Sequence, residues 1–425
     1  MLSKVRPEQT TGASDSEYFP KENKKIINRN NKYEIEICDG SWESQLVKRT
    51  DAISLKFDKY YRPKGRAKVY AKVMSSMKKV RRTNLCSDGD EDMKALGEGL
   101  KRLSSLQSIN LNFISCGEIT GQGLKRLGED LKRLTSLKSI NLNFAHCFEI
   151  TDQGLNYLGE GFKRLSSLQS IHLNFRSCRE ITDQGLKFLG EGLKRLSSLQ
   201  SISLNFGVCK QITHKGLKFL VEGLKRLSSL QSIHLNFMSC GEITDLGLKF
   251  LGGGLKRLNA LQSINLDFYG CEKITHQGLN YLDTGLRILS SLRSINLNFA
   301  RCYEIIDQDL KLLGERLKRL SALQSINLDF AHCFEITDQG LDNLRECLKT
   351  LSSLQSIELG FSRCCRITDQ GLSNLGEGLK TFSSVQSIVL NFSLCSEITD
   401  QGLKSLRESL KTLKSLQNFK VYPEK

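Results

Sequence analysis

Proline is almost missing from this chain, with four residues in 425 against 34 glycines. So few leave no room for proline-rich linkers, yet the length exceeds what one ordinary hydrophobic core sustains. Several domains or a repeat array are therefore expected. No run approaches the roughly 18 consecutive apolar residues of a membrane span, so no membrane partner is expected. The first 30 residues lack the apolar stretch of a secretory signal, and Glu8, Asp15, Glu17 and Glu22 argue against an acid-poor transit peptide. The cytosol is the expected compartment, with the nucleus open. Hydrophobic and charged fractions of 39% and 25% are those of a folded chain.

What the chain has in abundance is repetition. Ser108-Ile109-Asn110-Leu111-Asn112-Phe113 returns with its isoleucine at Ile140, Ile171, Ile202, Ile233, Ile264, Ile295, Ile326, Ile357 and Ile388, every step being 31 residues. Within a unit Ile109, Leu111 and Phe113 alternate with polar neighbours, the signature of a strand with one buried face. A turn follows, as in Thr151-Asp152-Gln153-Gly154, whose Thr or Asp can accept hydrogen bonds from the free N–H groups that open a helix. Leu124, Leu127, Leu131 and Leu134 then form an apolar stripe at helical spacing.

Neither a lone strand nor a lone helix of this kind buries its apolar face, so stability must come from stacking on neighbours. Strands pack about 4.8 Å apart and helices about 8–10 Å apart. The array therefore curves, with the sheet inside and the helices outside.

These residues carry a resemblance. Cys178-Arg179-Glu180-Ile181-Thr182-Asp183-Gln184-Gly185-Leu186 resembles the turn of the cysteine-containing leucine-rich repeats of F-box-type proteins. The helical half, Gly185 to Lys194, is similar to ribonuclease-inhibitor-type repeats. The resemblance covers roughly residues 74–422. Each unit is longer than is usual in either class, the extra residues lying between strand and cysteine, as in Asn112-Phe113-Ile114-Ser115. It implies an α/β solenoid, a right-handed leucine-rich-repeat horseshoe with a parallel β-sheet on the concave side and helices on the convex side. By role it implies substrate recruitment for a cullin-type ubiquitin ligase, although the F-box that precedes such repeats is not legible in residues 1–73.

Four segments are expected. Residues 1–32 read as a disordered polar tail. Residues 33–85 read as a basic cap of degenerate strand-helix units, from the alternation of Tyr33, Ile35 and Ile37 and of Ile53, Leu55 and Phe57, and Met74–Val80 aligns with Leu103–Ile109. Residues 86–415 hold the ten-repeat array, and 416–425 a terminal strand built on Phe419 and Val421.

The net charge of +16 is uneven, residues 1–85 holding 20 Lys and Arg against 10 Asp and Glu. A basic patch at Arg62, Lys64, Arg66, Lys68, Lys78, Lys79, Arg81 and Arg82, with Tyr60, Tyr61 and Tyr70 interleaved, would suit nucleic acid or an acidic protein. A solvated cap helix is the plainer reading. The paired Lys and Arg of the array helices, such as Lys163-Arg164, read as a solvated face.

On the inner face, one column runs from Asn112 through Asp267 and Asp329 to Asn391, and its neighbour from Asn110 through His172 and His234 to Val389. Strips so uniform encode little specificity, and a hydrogen-bonded ladder that only solvates the sheet is an equal reading of them. Variation is richer just after the strand, at Ile114, His146, Arg176, Val208, Met238, Tyr269, Arg301, His332, Arg363 and Leu394. Interfaces draw energy from aromatic and Arg anchors, so Arg176, Met238, Tyr269, Arg301 and Arg363, with His146 and His332, are the expected partner-binding residues.

Ten of the 14 cysteines recur once per unit, a packing pattern of reduced thiols. Cys365, beside Cys364, is a candidate exposed thiol. No metal site, cofactor or catalytic constellation is expected, because each Ser, His, Cys and Asp is explained by its repeat position. A non-catalytic protein-binding scaffold is the leading expectation. Ubiquitin-ligase recruitment is the alternative, and a structural part of a large ribonucleoprotein assembly, docked through the basic cap, a second one.

Overall fold

The computed structural model describes residues 26–29, 32–37, 52–57, 82–86, 90–100 and 103–423. Among them fifteen strands form one sheet in chain order. Strand β1 (Ile26–Arg29) pairs antiparallel with β2 (Lys32–Ile37). Every later pair is parallel, through β3 (Ala52–Phe57), β4 (Arg82–Cys86) and β5 (Ser108–Asn112) to β14 (Ser387–Asn391) and β15 (Asn418–Tyr422). Helix α1 (Asp90–Leu100) precedes β5, and one helix follows each strand from β5 to β14, beginning with α2 (Gly121–Leu131) and ending with α11 (Asp400–Lys411). The chain is an α/β solenoid of the expected class, with the sheet on its concave side and the helices on its convex side. Units are numbered here from β5.

Strand alternation does what the sequence pattern requires. Ile109 and Leu111 are buried, their polar neighbours half-buried, and the register is exact, Ile109 opposite Ile140 and Leu111 opposite Leu142. The phenylalanine after each strand completes the core. From Phe113 to Phe392 the rings stack in an unbroken column, successive centroids 4.8–6.4 Å apart and planes within 25°. Each is at most 1% exposed, so the column combines full apolar burial with offset ring contacts.

On the other side, Leu124, Leu127 and Leu131 bury one face of α2, and glycines let the next helix approach. A β-carbon on Gly161 would lie 2.8 Å from the Gly128 carbonyl oxygen, and one on Gly192 2.5 Å from the Gly159 Cα. Here glycine is required by backbone meeting backbone, not by conformation.

The helix-opening turn works differently from the sequence reading. Thr182 does cap its own helix, accepting from the Gln184 N–H at 3.2 Å. The aspartate instead serves the following unit. Asp152 accepts from the Thr182 N–H at 2.8 Å and the Thr182 hydroxyl at 2.6 Å, and Asp183 treats Thr213 the same way and adds the Gly216 N–H, all at 2.8 Å. These bonds tie most units to the next, but not units 1, 4 and 6, whose helices open on Gly121, His214 and His276.

One junction departs from the pattern in three places at once. His276 replaces the aspartate, Ile306 replaces the threonine that would receive it, and Asp309 replaces a glycine. In other units that glycine makes room for the aspartate oxygen, 2.5 Å from where a Gly185 β-carbon would stand. With His276 in place the room is free, and Asp309 fills it, 1% exposed, to accept the Ile306 N–H at 2.9 Å. Burial pushes its carboxyl above the ordinary range.

Two expectations for the N-terminal part are corrected. Strand β1 falls inside residues 1–32, read as a tail, because two isoleucines in a polar stretch were too sparse a signal. Thr83 and Leu85, rather than Val80, stand opposite Ile109 and Leu111 or in line with them, since the register is Thr83 to Ile109 and Leu85 to Leu111. The expected cap helices lie outside the described residues. No helix among the described residues is long and apolar enough to cross a membrane.

Candidate functional site

Each strand ends in a turn that the cysteine, asparagine and phenylalanine build together. The Cys116 N–H donates to the Phe113 carbonyl at 3.2 Å, and the Asn112 side chain accepts from the Ile114 N–H at 3.3 Å, an Asx turn. The third turn residue is left-handed in every unit, φ lying between 56° and 66° from Ser115 to Leu394. Type II turns favour glycine there, yet only unit 6 has one, Gly270. The next unit's thiol closes the structure, Cys147 Sγ donating to the Phe113 carbonyl at 3.0 Å and Cys178 Sγ to that of Phe144 at 3.2 Å.

The asparagine column is therefore mostly committed to its own turn. Only a few cross-unit side-chain bonds occur on the strip, Asn236 to Asp267 at 2.6 Å and Asn327 to Glu358 at 2.8 Å.

Burial raises the ladder thiols above their ordinary range, Cys147 to about 11 and Cys178 to about 12. Thiolate is the reactive form. With maleimide at mildly alkaline pH, peptide mapping should find Cys365, which is only half-buried, labelled at least about tenfold faster than Cys147 to Cys364 of the ladder, and all of them alike in urea. Equal native rates would contradict this packing.

The expected partner-binding residues fall in two columns, not one. Arg176, Met238 and Tyr269 occupy the second turn position, while His146, Arg301, His332 and Arg363 occupy the left-handed third. Units differ in which of the two carries the large side chain, and reading by residue size merged the columns.

The structure brings four of the seven together, across units 6 to 9. The Arg301 guanidinium lies over the Tyr269 ring, 5.4 Å from its centroid. His332 is flanked by Arg301 and Arg363, and burial followed by these two charges pushes its imidazole below the usual range. Arg301 and Arg363 are exposed. His146 instead packs edge-on to Phe148 at 6.3 Å, and the Arg176 charge acts on Asp267 of the inner face.

Sequence reasoning missed the aromatic part of this rim. Tyr303 and Phe334 follow the cysteine, stack at 5.6 Å with planes 3° apart, and Phe334 meets His332 edge-on at 6.1 Å. Phe334 is 43% exposed. The signal was available, since the same column holds Gly117, Lys210, Gly241 and Glu272 in other units, so an aromatic there is not needed by the fold.

A groove of about 300 Å³ lies on the concave face, lined among others by His234, Asp267, Asp329, Glu358 and Tyr422. Burial raises the carboxyls of Asp267 and Asp329. Its acids are the departures from the asparagine columns that the aligned units show, and stacking brings them to one groove. Among the described residues no three His, Cys, Asp or Glu side chains are placed to hold a metal ion. Arg62, Lys64, Arg66, Lys68, Lys78, Lys79 and Arg81 lie outside the described residues, and Arg82 opens β4. The nucleic-acid or acidic-protein expectation for that patch rests with them.

Fold and rim together define a repeat solenoid with a variable edge. No family model matches the chain, and no curated protein matches it. Among solved structures it is similar to a chain of the crystal structure of the Rad7 and Elc1 complex in yeast, at 16% identity and a TM-score of 0.42, over 83% of this chain and 85% of that one.

Proposed function

We propose that the chain is a non-catalytic scaffold that holds a protein partner on the rim of units 6 to 9. The observation that carries this reading is the Tyr303–Phe334 stack, its Phe334 exposed and its Tyr303 half-buried, with the exposed Arg301 and Arg363 in the neighbouring turns. The buried columns, the asparagines and the Asp–Thr bonds are consumed by the fold. The rim aromatics are not, and exposed aromatic and Arg groups are those from which interfaces draw most energy.

The test compares affinity capture by the full chain with capture by Tyr303→Ser/Phe334→Ser from one extract, with hydrogen exchange confirming that the core is unchanged. Proteins retained by the first and lost by the second are expected. Identical sets would overturn the reading. Recovery of an adaptor subunit of a cullin-type ligase among them is the outcome that would extend it to substrate recruitment.

A further inference from the structure

Resting on that rim reading, we infer that the partner segment is an extended, unmodified acidic peptide, with carboxylates three residues apart engaging Arg301 and Arg363 and an apolar side chain on the Tyr303–Phe334 stack. Three observations carry the chemistry.

The first is charge. Neither guanidinium forms an ion pair with a carboxylate among the described residues, Arg301 lying over Tyr269 instead. Of the acids two residues after the cysteine in units 7 and 8, Glu335 is taken by Arg366, leaving Glu304 against two arginines. A guanidinium held over an aromatic face keeps its edge donors free for a carboxylate.

The second is spacing. Arg301 and Arg363 occupy the same turn position two units apart, and parallel strands lie about 4.8 Å apart, so their backbones are about 10 Å apart. An extended peptide of the polyproline II kind rises about 3.1 Å per residue with three residues per turn, so two acidic residues at i and i+3 lie on one face and match that span. One phosphate would reach both arginines only if both side chains bent inward, which is why the inference commits to separate carboxylates.

The third is the apolar surface between them. His332, Phe334 and Tyr303 occupy units 7 and 8, so a segment bridging the two arginines passes over unit 8, where Phe334 is 43% exposed. A peptide with two acidic residues flanking a pair of apolar ones fits this order.

The test is fluorescence anisotropy with the full chain and short synthetic peptides carrying Glu at i and i+3 with Leu and Phe between them. The acidic peptide should bind, and its Gln counterpart should bind at least about tenfold more weakly. Arg301→Gln/Arg363→Gln, exposed positions that leave the core untouched, should cost the acidic peptide about tenfold and the Gln peptide almost nothing. Raising salt should weaken only the acidic peptide.

No binding of the acidic peptide, equal binding of both peptides, binding of a phosphoserine version alone, or indifference to the arginine variant would each overturn the inference. If the Tyr303→Ser/Phe334→Ser chain still loses its cellular partner in those cases, the rim reading survives and only the partner's chemistry is wrong.

Discussion

Replacing Phe237 by alanine should cost about 3–5 kcal/mol, the range for deleting a fully buried ring. Phe237 is 0% exposed and stacks on Phe206 at 6.0 Å and Phe268 at 6.1 Å. The loss removes its apolar burial and two ring contacts, each worth about 0.5–1.5 kcal/mol beyond area. Its neighbours cannot collapse into the gap, because the strand register and the Cys271 thiol bond to the residue 237 carbonyl hold the backbone in place. In a solenoid each unit contacts only its neighbours, so the effect should be local. Hydrogen exchange should show units 4 to 6 opening about a hundredfold to a few thousandfold more often, at about 1.4 kcal/mol per factor of ten, and the outermost units little changed. A destabilisation below about 1 kcal/mol, or one spread evenly along the array, would contradict the account.

Asp183→Ala should follow, at about 2–4 kcal/mol. It removes the acceptor for the Thr213 N–H, the Thr213 hydroxyl and the Gly216 N–H. Charge-assisted bonds contribute about 1.5–3 kcal/mol each, and water recovers part where the donors are only half-buried. Thr213→Val should cost about 1–2 kcal/mol, because it removes the cap on the Lys215 N–H and one donor while the two backbone donors keep the carboxylate. A natural comparison is the next junction, where His214 stands in place of the aspartate and reaches only the Thr244 hydroxyl at 3.4 Å. Urea unfolding of the single variants measures both, and equal costs for Asp183→Ala and Thr213→Val would refute the three-donor arrangement.

The parts of the fold that were legible are those set by apolar periodicity. Ile109, Leu111 and Phe113 alternate and Leu124, Leu127 and Leu131 recur at helical spacing, so strand, helix and stacking followed. The turn was not legible, because its left-handed residue is serine, histidine, valine, arginine or leucine in nine units. Local glycine chemistry is absent there, and the conformation is held by partners 2 and 34 residues away, the Asn112-type amide and the next thiol. Asp152 was assigned to its own helix for the same reason, since a bond spanning 30 residues leaves no local pattern. At the rim, Arg301, His332 and Arg363 were found by their variability. Tyr303 and Phe334 were hidden by standing inside what looked like the consensus beside the cysteine.

The three-way exchange at His276, Ile306 and Asp309 has a genetic consequence. Wherever an Asp–Thr pair joins two units, either unit fits before or after any other of its kind, and unequal crossing-over between such copies yields longer or shorter chains with every junction intact. Unit 7 is not interchangeable in this sense. Set behind a unit with aspartate at the helix start, Asp309 would occupy the space that such an aspartate fills, as Asp245 does 2.5 Å from where a Gly278 β-carbon would stand, and two carboxylates would be buried against each other. Unit 7 must therefore follow a unit whose helix does not open on aspartate, as units 1, 4 and 6 do not, and related arrays of different length should keep it behind such a unit while gaining or losing units elsewhere.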